Sequence, residues 1–183
     1  MMDLKTTYSS LILTLPTNIT GGYRGAFHWV ALTEFTVPIL EMLNNQTTFY
    51  GKAVAPYSGQ FVSYEGIPFL TNVYDHAETE TAFPSLRDSS QGSSFINVFY
   101  GWRNPADDDA MLQLGAESVA YMKQFIADAG QDVGDALLYP NCAPPGTAAV
   151  DIYGTAALER LQSIQLAVDP TNVMNLTGGW KFY

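Results

Sequence analysis

The sequence predicts an α+β fold, in which an antiparallel β-sheet is covered on one face by helices and forms an aromatic-lined pocket on the other. Two observations predict it. Segments rich in aromatic and β-branched residues, typical of strands, are followed by stretches in which apolar residues recur at helical spacing. The resulting order, β-β-α…β-α-β-α, is typical of a two-layer domain, and a chain of 183 residues suits one domain spanning 1–183.

Two strands are predicted first. Residues 8–15 are apolar at successive positions, which predicts a central strand buried on both faces. Residues 16–25 contain Pro, Asn and Gly-Gly and therefore predict a turn. Residues 26–37 are rich in aromatic and β-branched residues, so we expect them to form the antiparallel partner of the first strand.

A short helix and a less regular region follow. Pro38 is typical of a first helical turn, and the apolar residues after it predict a helix that ends at Asn44 and Asn45. Residues 47–57 are predicted to be irregular. Residues 58–76 combine several aromatic residues with a proline that breaks any long helix, so their structure stays ambiguous.

The second half of the chain predicts a strand and two long helices. Residues 93–102 have the clearest strand pattern. The acidic run 107–109 suits the positive end of a helix that covers roughly 108–129. Residues 136–139 predict a short final strand, and residues 154–168 predict a last helix with one apolar face.

Alternating side chains of a strand point to opposite faces of its sheet. In the strand predicted at 93–102, one set is suited to packing under helices: Ser94, Ile96, Val98, Tyr100 and Trp102. The other set places an amide between two aromatic rings: Phe95, Asn97, Phe99 and Gly101. Because a polar group among aromatic side chains can orient a bound molecule, this second set favours a ligand-binding face. A face that is merely solvated or buried is the alternative.

Charge and composition limit the partners. The chain has a net charge of −10 with only eight Lys and Arg, so nucleic acid and anionic membranes are poor partners. No apolar run approaches the length of a transmembrane helix. Aromatic residues make up 13% of the chain, which suits core packing or a pocket for a bulky apolar ligand.

Histidine and cysteine are scarce. With Cys142 as the only cysteine and two histidines, neither an intrachain disulfide nor a metal site is expected. His28 and Trp29 are pocket candidates on a predicted strand, with a core or edge histidine as the alternative. Cys142 could act as a nucleophile, but a small buried apolar side chain is the favoured interpretation.

The N-terminus carries no signal-peptide pattern, which favours a cytoplasmic protein. The opening Met1-Met2 favours a complete chain. Three N-glycosylation sequons are a weak indication of secretion instead; they begin at Asn18, Asn45 and Asn175.

Motifs near the C-terminus have an order and spacing that one family shares. Leu138-Tyr139-Pro140-Asn141 looks like that family's Tyr-x-Asn strand. Ile152-Tyr153-Gly154, Arg160-Leu161 and Val168-Asp169-Pro170-x-x-Val173 look like its last helix, and Gly178-Gly179-Trp180-Lys181-Phe182 looks like its closing element. On these motifs the chain resembles the C-terminal region of the berberine-bridge-enzyme-like FAD-linked oxidases, particularly their fungal members.

A fainter likeness extends upstream through Ala82-Phe83-Pro84 and Phe95-Ile96-Asn97 to Trp102. In the family these segments form the substrate domain. The flavin-binding domain that precedes them is absent from this sequence, as are a Gly-rich phosphate loop and a suitable His or Cys for covalent flavin attachment. No cofactor is therefore expected in this chain alone, and FAD is expected only with a flavin-domain partner.

The resemblance also implies roles for individual residues. Tyr139 and Asn97 would line the space above the flavin, and Asn141 would lie near the cofactor. Extension without gaps places the family's glutamate base at Asp75. The strand patterns, independently of the resemblance, make Phe95, Phe99, His28 and Trp29 the candidates for contact with the substrate.

Three functions are compatible with these observations. The preferred one is a free-standing, flavin-free substrate domain that acts on a hydrophobic polyketide, terpenoid or alkaloid intermediate as a cyclase or isomerase, with Tyr139, Asp75 and Asn97 as catalytic residues. The second is the substrate-binding half of an FAD-dependent oxidase, with Tyr139 or Asp75 as the base. The third is a non-catalytic binding module that forms a homo-oligomer.

Overall fold

Three strands and four helices form the regular structure in the part of the chain that the computed structural model describes: residues 7, 9, 21–69, 94–131, 133–134, 136–144 and 146–182. In chain order they are β1 (Arg24–Leu32), α1 (Val37–Ala53), β2 (Gly59–Ile67), β3 (Ser94–Trp102), α2 (Asp108–Asp128), α3 (Ala149–Tyr153) and α4 (Thr155–Val168). Short 3₁₀ turns occur at Pro105–Asp107, Pro140–Cys142 and Val173–Leu176.

The sheet has the order β1-β3-β2, and β3 pairs antiparallel with both neighbours. Asn97 at the middle of β3 lies opposite Trp29 of β1 and Glu65 of β2. The predicted α+β class, with an antiparallel sheet and packed helices, is confirmed. Of the strand predicted over 8–15, only residue 9 is described, and it is helical rather than extended; the other residues of that prediction lie outside the described ones.

One face of the sheet is buried beneath α1 and α2. The β3 side chains on this face are the set predicted to pack under helices, and Ile96, Val98 and Tyr100 have no solvent exposure. They meet apolar residues from both helices: Ile39, Met42, Leu43, Met111, Met122 and Ile126. Each fully buried aliphatic side chain contributes about 1.5–3 kcal/mol relative to an exposed one, so this layer holds the helices on the sheet.

Helix α1 extends beyond the end predicted for it. It continues through the exposed Asn44 and Asn45 to Ala53. Intrinsic helix propensity penalises asparagine by at most about 0.7 kcal/mol per residue. Burial of Gln46 and Tyr50, which continue the inner face of this helix, outweighs that penalty. Residues 47–57, predicted to be irregular, are therefore helical as far as Ala53.

Three further sequence predictions differ from the structure. The strand predicted over residues 26–37 is β1, which ends at Leu32 and pairs with β3. The ambiguous region contains β2, which ends at Ile67, just before Pro68. The strand predicted over 136–139 is not part of the sheet; its Leu138 amide nitrogen instead donates to the Asp151 carbonyl at 2.9 Å. A local pattern of apolar residues can predict an extended segment. The segment joins a sheet only where a neighbouring strand is available to pair with it.

The acidic run at the start of α2 fixes that helix to the sheet. Asp108 accepts two hydrogen bonds of 2.6 Å from the Arg24 guanidinium and one of 2.6 Å from the Trp102 indole. Asp107 accepts hydrogen bonds from the amide and hydroxyl of Ser58 at 2.9 and 2.6 Å. These hydrogen bonds lower the pKa of both carboxyls. The run was predicted to cap the helix, but the side chain of Asp107 at the N-cap makes no capping hydrogen bond, and the first two members instead join the helix to neighbouring segments.

Polar groups between the sheet and the helices are connected to one another. The Tyr64 hydroxyl lies 2.7 Å from the Tyr100 hydroxyl and 2.6 Å from the Ser118 hydroxyl, and Ser118 donates to Gln46 at 2.9 Å. Burial raises the pKa of Tyr64 to about 12. Because buried hydroxyls that are satisfied in this way avoid a desolvation penalty of about 1–3 kcal/mol each, the network is compatible with a stable core.

Gly115 of α2 provides a stability test. A Cβ at this position would overlap Nε2 of the buried His28 ring and lie 2.9 Å from its Cδ2. We expect Gly115→Ala to lower the free energy of unfolding by about 1–3 kcal/mol, because the ring has to shift within a packed interior. Urea denaturation measures the change.

Gly51 near the end of α1 is the matched control, since a Cβ there meets nothing within 4 Å. We expect Gly51→Ala to raise the free energy of unfolding by about 0.5–1 kcal/mol, the usual gain for alanine over glycine in a helix. An equal gain in Gly115→Ala would show that His28 does not occupy the space beside Gly115.

Candidate ligand-binding site

The face of the sheet away from α1 and α2 is called the second face. Residues directly paired across strands share a face, so the register defines its members. They are Phe27, Trp29 and Ala31 of β1, Phe95, Asn97, Phe99 and Gly101 of β3, and Phe61, Ser63, Glu65 and Ile67 of β2. The second face therefore combines five aromatic rings with three polar side chains near its centre.

One end of the second face is covered by the segment that leads into α3. Trp29 and Phe95 are only 4% and 3% exposed there and form a cluster with the buried Cys142. The Tyr139 ring lies 5.1 Å from the Phe95 ring, centre to centre, and the Phe69 ring stacks on Phe95 at 5.6 Å. Aromatic pairs at such distances add about 0.5–1.5 kcal/mol beyond area burial, so this end is packed.

The other end carries a more accessible group of rings, which we call the aromatic platform: Phe27, Phe61 and Phe99. The Phe99 ring lies 4.7 Å from Phe27 and 6.1 Å from Phe61, centre to centre. It occupies space above Gly25, where a Cβ would lie 2.6 Å from its Cε2. Phe27 is 42% exposed, so the platform offers apolar surface to a ligand.

Asn97 lies between the platform and the covered end. Its Nδ2 donates to Glu65 Oε2 at 3.2 Å, and the Ser63 hydroxyl donates to Glu65 Oε1 at 2.6 Å. The Oδ1 atom of Asn97 is buried and has no hydrogen-bond partner among the described residues, as is also true of Trp29 Nε1. An unsatisfied buried polar atom costs about 1–3 kcal/mol, so Asn97 Oδ1 offers an acceptor to a ligand.

Cys142 is not suited to nucleophilic chemistry in this environment. Its thiol is buried, and burial together with the negative charge of Glu65 raises the pKa of Cys142 to about 11. Because the thiolate is the reactive form, the thiol is inert near neutral pH. The interpretation of Cys142 as a small buried side chain therefore agrees with its surroundings.

Tyr139 and Asn141 form a polar pair at the edge of the covered end. The Asn141 Nδ2 donates to the Tyr139 hydroxyl at 2.9 Å. Asn141 is exposed and Tyr139 is half-buried. The tyrosine hydroxyl can still donate its own proton, so this pair can bind a ligand that extends past the packed rings.

The structure brings most of the predicted site residues together. Those on the second face or at its edge are Trp29, Phe95, Asn97, Phe99, Tyr139 and Asn141. His28 instead lies on the helix-covered face, packed against Gly115, because it alternates with Trp29 along β1. His28 is therefore separated by the sheet from the predicted site residues on the second face. Asp75 lies outside the described residues.

Four aromatic or polar residues of the second face were missed: Phe27, Phe61, Ser63 and Glu65. Phe27 could have been found, because it is two residues from Trp29 on a predicted strand and therefore shares its face. The other three lie on β2, whose pattern was ambiguous in the sequence. Only the pairing with β3 shows that Glu65 is adjacent to Asn97.

Neither the protein-family models nor the curated proteins include a match to this chain. Within the described ranges, no group of three or more His, Cys, Asp or Glu side chains is arranged to hold a metal ion. Nor does any described helix have the length and apolarity to cross a membrane.

His28 gives a prediction about pH. Burial lowers the pKa of His28 below its ordinary value of about 6.5. At a pH between the lowered pKa of His28 in the folded chain and its ordinary pKa, the unfolded chain binds a proton that the folded chain does not. The free energy of unfolding therefore falls as the pH drops below about 6.5. We expect His28→Asn to show a smaller loss between pH 6.5 and 5, measured by urea denaturation at each pH. Equal pH dependence in both proteins would contradict a buried neutral imidazole.

Proposed function

We propose that this chain is a substrate-binding domain that holds a hydrophobic small molecule on the second face of its sheet. The observation that carries the proposal is the buried Oδ1 of Asn97, which has no partner among the described residues and is flanked by aromatic side chains. A ligand with an apolar ring system and one hydrogen-bond donor is complementary to this arrangement.

The two parts of the site supply different contributions to binding. The aromatic platform removes apolar ligand surface from water, at about 25 cal/mol for each Å² buried. Asn97 Oδ1 accepts a hydrogen bond from the ligand, which adds about 0.5–1.5 kcal/mol and fixes its orientation. Glu65 accepts a hydrogen bond from Nδ2 and so fixes the orientation of the Asn97 amide.

We further propose that the bound molecule undergoes a proton transfer, as in a cyclisation or isomerisation of a polyketide, terpenoid or alkaloid intermediate. Tyr139 provides a phenol donor at one edge, and the Glu65 carboxylate provides an acceptor beside Asn97. Such reactions need a positioned acid or base and a shaped apolar site. The resemblance of residues 138–182 to the C-terminal region of natural-product oxidases, and the fainter likeness of residues 82–102 to their substrate domain, support this substrate class.

Paired ligands can test the role of Asn97. We expect 2-naphthol, which donates a hydroxyl proton, to bind up to about tenfold more tightly than 2-methoxynaphthalene, which cannot donate. Asn97→Leu should remove this preference while 2-methoxynaphthalene binds about as before. Isothermal titration calorimetry measures the four dissociation constants. A preference for 2-naphthol that persists in Asn97→Leu would contradict the proposed acceptor.

Phe27 and Phe49 provide the matched control for the platform. Both rings are exposed, by 42% and 63%, but Phe49 lies on α1, on the other side of the sheet. We expect Phe27→Ala to weaken binding of both naphthalene compounds and Phe49→Ala to leave it unchanged. Equal effects of the two substitutions would show that the ligands bind elsewhere.

A second candidate function is favoured by the contact between Tyr139 and Asn141. A flavin would supply hydride-accepting chemistry when bound, and the exposed carboxamide of Asn141 fits the polar edge of such a ring. FAD also carries two phosphates, which a chain of net charge −10 repels. The phosphate-binding groups would therefore come from another segment or chain, and this chain would be the substrate-binding half of an oxidase.

The second candidate is tested by flavin retention. The chain is mixed with FAD, alone and with lysate of the source cells, and is then purified by gel filtration. Absorbance between about 350 and 500 nm in the protein peak, lost on Asn141→Ala, would support the oxidase half. A protein that stays colourless in both mixtures would rule it out and leave the first proposal.

A further inference from the structure

The last helix has apolar side chains that nothing in the described part of the chain covers. None of the 14 residues of α4 is buried. In α4 and the turn after it, six large apolar residues are strongly exposed: Ile164 45%, Leu166 71%, Val168 76%, Val173 57%, Met174 60% and Leu176 88%. Three of these side chains, Ile164, Val168 and Met174, line one groove, so this part of the segment is suited to contact another molecule.

The segment is nevertheless held in a defined conformation. The Trp180 indole donates to the Pro140 carbonyl at 2.7 Å, and the Phe182 ring lies 5.3 Å from the Tyr153 ring. Lys181 donates to the Met174 and Thr177 carbonyls at 2.9 and 2.6 Å. A surface fixed in this way loses little conformational entropy when it binds.

The fixed tail and α4 enclose a groove of about 460 Å³. Its apolar lining consists of Leu161, Ile164, Val168, Met174, Trp180 and Phe182. Leu176 follows Met174 in the adjoining turn and is the most exposed of the large apolar side chains. A projecting leucine beside an apolar groove gives one surface both halves of a self-complementary contact.

Charge favours a second copy of the chain as the occupant of the groove. The chain as a whole carries a net charge of −10, so most pairs of its surfaces repel each other. The segment 155–182 is neutral, because Glu159 and Asp169 are balanced by Arg160 and Lys181. It is therefore a region through which two copies can approach without a net local repulsion.

We propose that residues 155–182 form a symmetric self-docking surface, in which Leu176 of each copy enters the groove of the other. Each such contact removes the Leu176 side chain, 88% exposed, from water against the apolar lining of the groove. A twofold axis makes both contacts at once and closes the assembly as a dimer. This inference is independent of the proposed ligand site, which lies on the sheet.

Sedimentation equilibrium of the full chain between about 1 and 200 µM tests the proposal, because dimerisation follows mass action. We expect a concentration-dependent dimer. Leu176→Glu should raise its dissociation constant at least about tenfold, since it places a charge in an apolar contact. Leu40→Glu is the matched control: Leu40 is 50% exposed on α1, away from this surface, and its replacement should leave the dimer intact.

A wild-type chain that stays monomeric throughout this range would overturn the proposal. That holds also where the groove of the monomer is found to bind a different protein or a small molecule. An equal loss of dimer in Leu40→Glu would overturn it too. Circular dichroism confirms that both variants fold. A mixture of Leu176→Cys and Val168→Cys chains should form a disulfide-linked heterodimer under mild oxidation, and failure to form it while dimers persist would also contradict the proposed contact.

Discussion

The central strand β3 packs against the helices with one face and forms the second face of the sheet with the other, and the rest of the molecule depends on this arrangement. It pairs with β1 on one side and β2 on the other, so every side chain points toward the helices or toward the second face. Ile96 and Val98 are fully buried beneath α1 and α2, while Asn97 points the opposite way. A slip of one residue would exchange the two sets and bury Asn97 beneath the helices, so this register is strongly specified.

Both faces of the sheet carry polar groups, and each face includes a buried polar atom without a described partner, such as His28 Nε2 beneath the helices and Asn97 Oδ1 on the second face. On the helix-covered face, Tyr64, Tyr100, Ser118 and Gln46 satisfy one another through short hydrogen bonds. On the second face, the oxygen of Asn97 is buried without a described partner although its nitrogen is bound to Glu65. Low local dielectric strengthens the first arrangement and penalises the second. The ligand proposal rests on Asn97 because its unsatisfied oxygen lies among aromatic side chains on the face that no described helix covers.

The C-terminal segment reaches the sheet through few contacts, and one of them is close to the site. Trp180 donates to the carbonyl of Pro140, the residue after Tyr139. Tyr139 in turn packs on Phe95 of the central strand. A molecule that docks on the segment therefore contacts a structure that is joined to the edge of the second face. The proposed docking surface is neutral although the whole chain is acidic, so it differs in charge from the average surface of the chain.

The sequence by itself determined the fold class, the two faces of β3 and the long helices α2 and α4, since each depends on a local period of apolar residues. The tertiary structure decided the rest. The end of α1 depended on burial of Gln46 and Tyr50 against the sheet, and the position of His28 depended on the pairing of β1. The Asn97–Glu65 contact joins residues 32 positions apart. No local pattern encodes such a pairing, because it arises only when β2 aligns with β3.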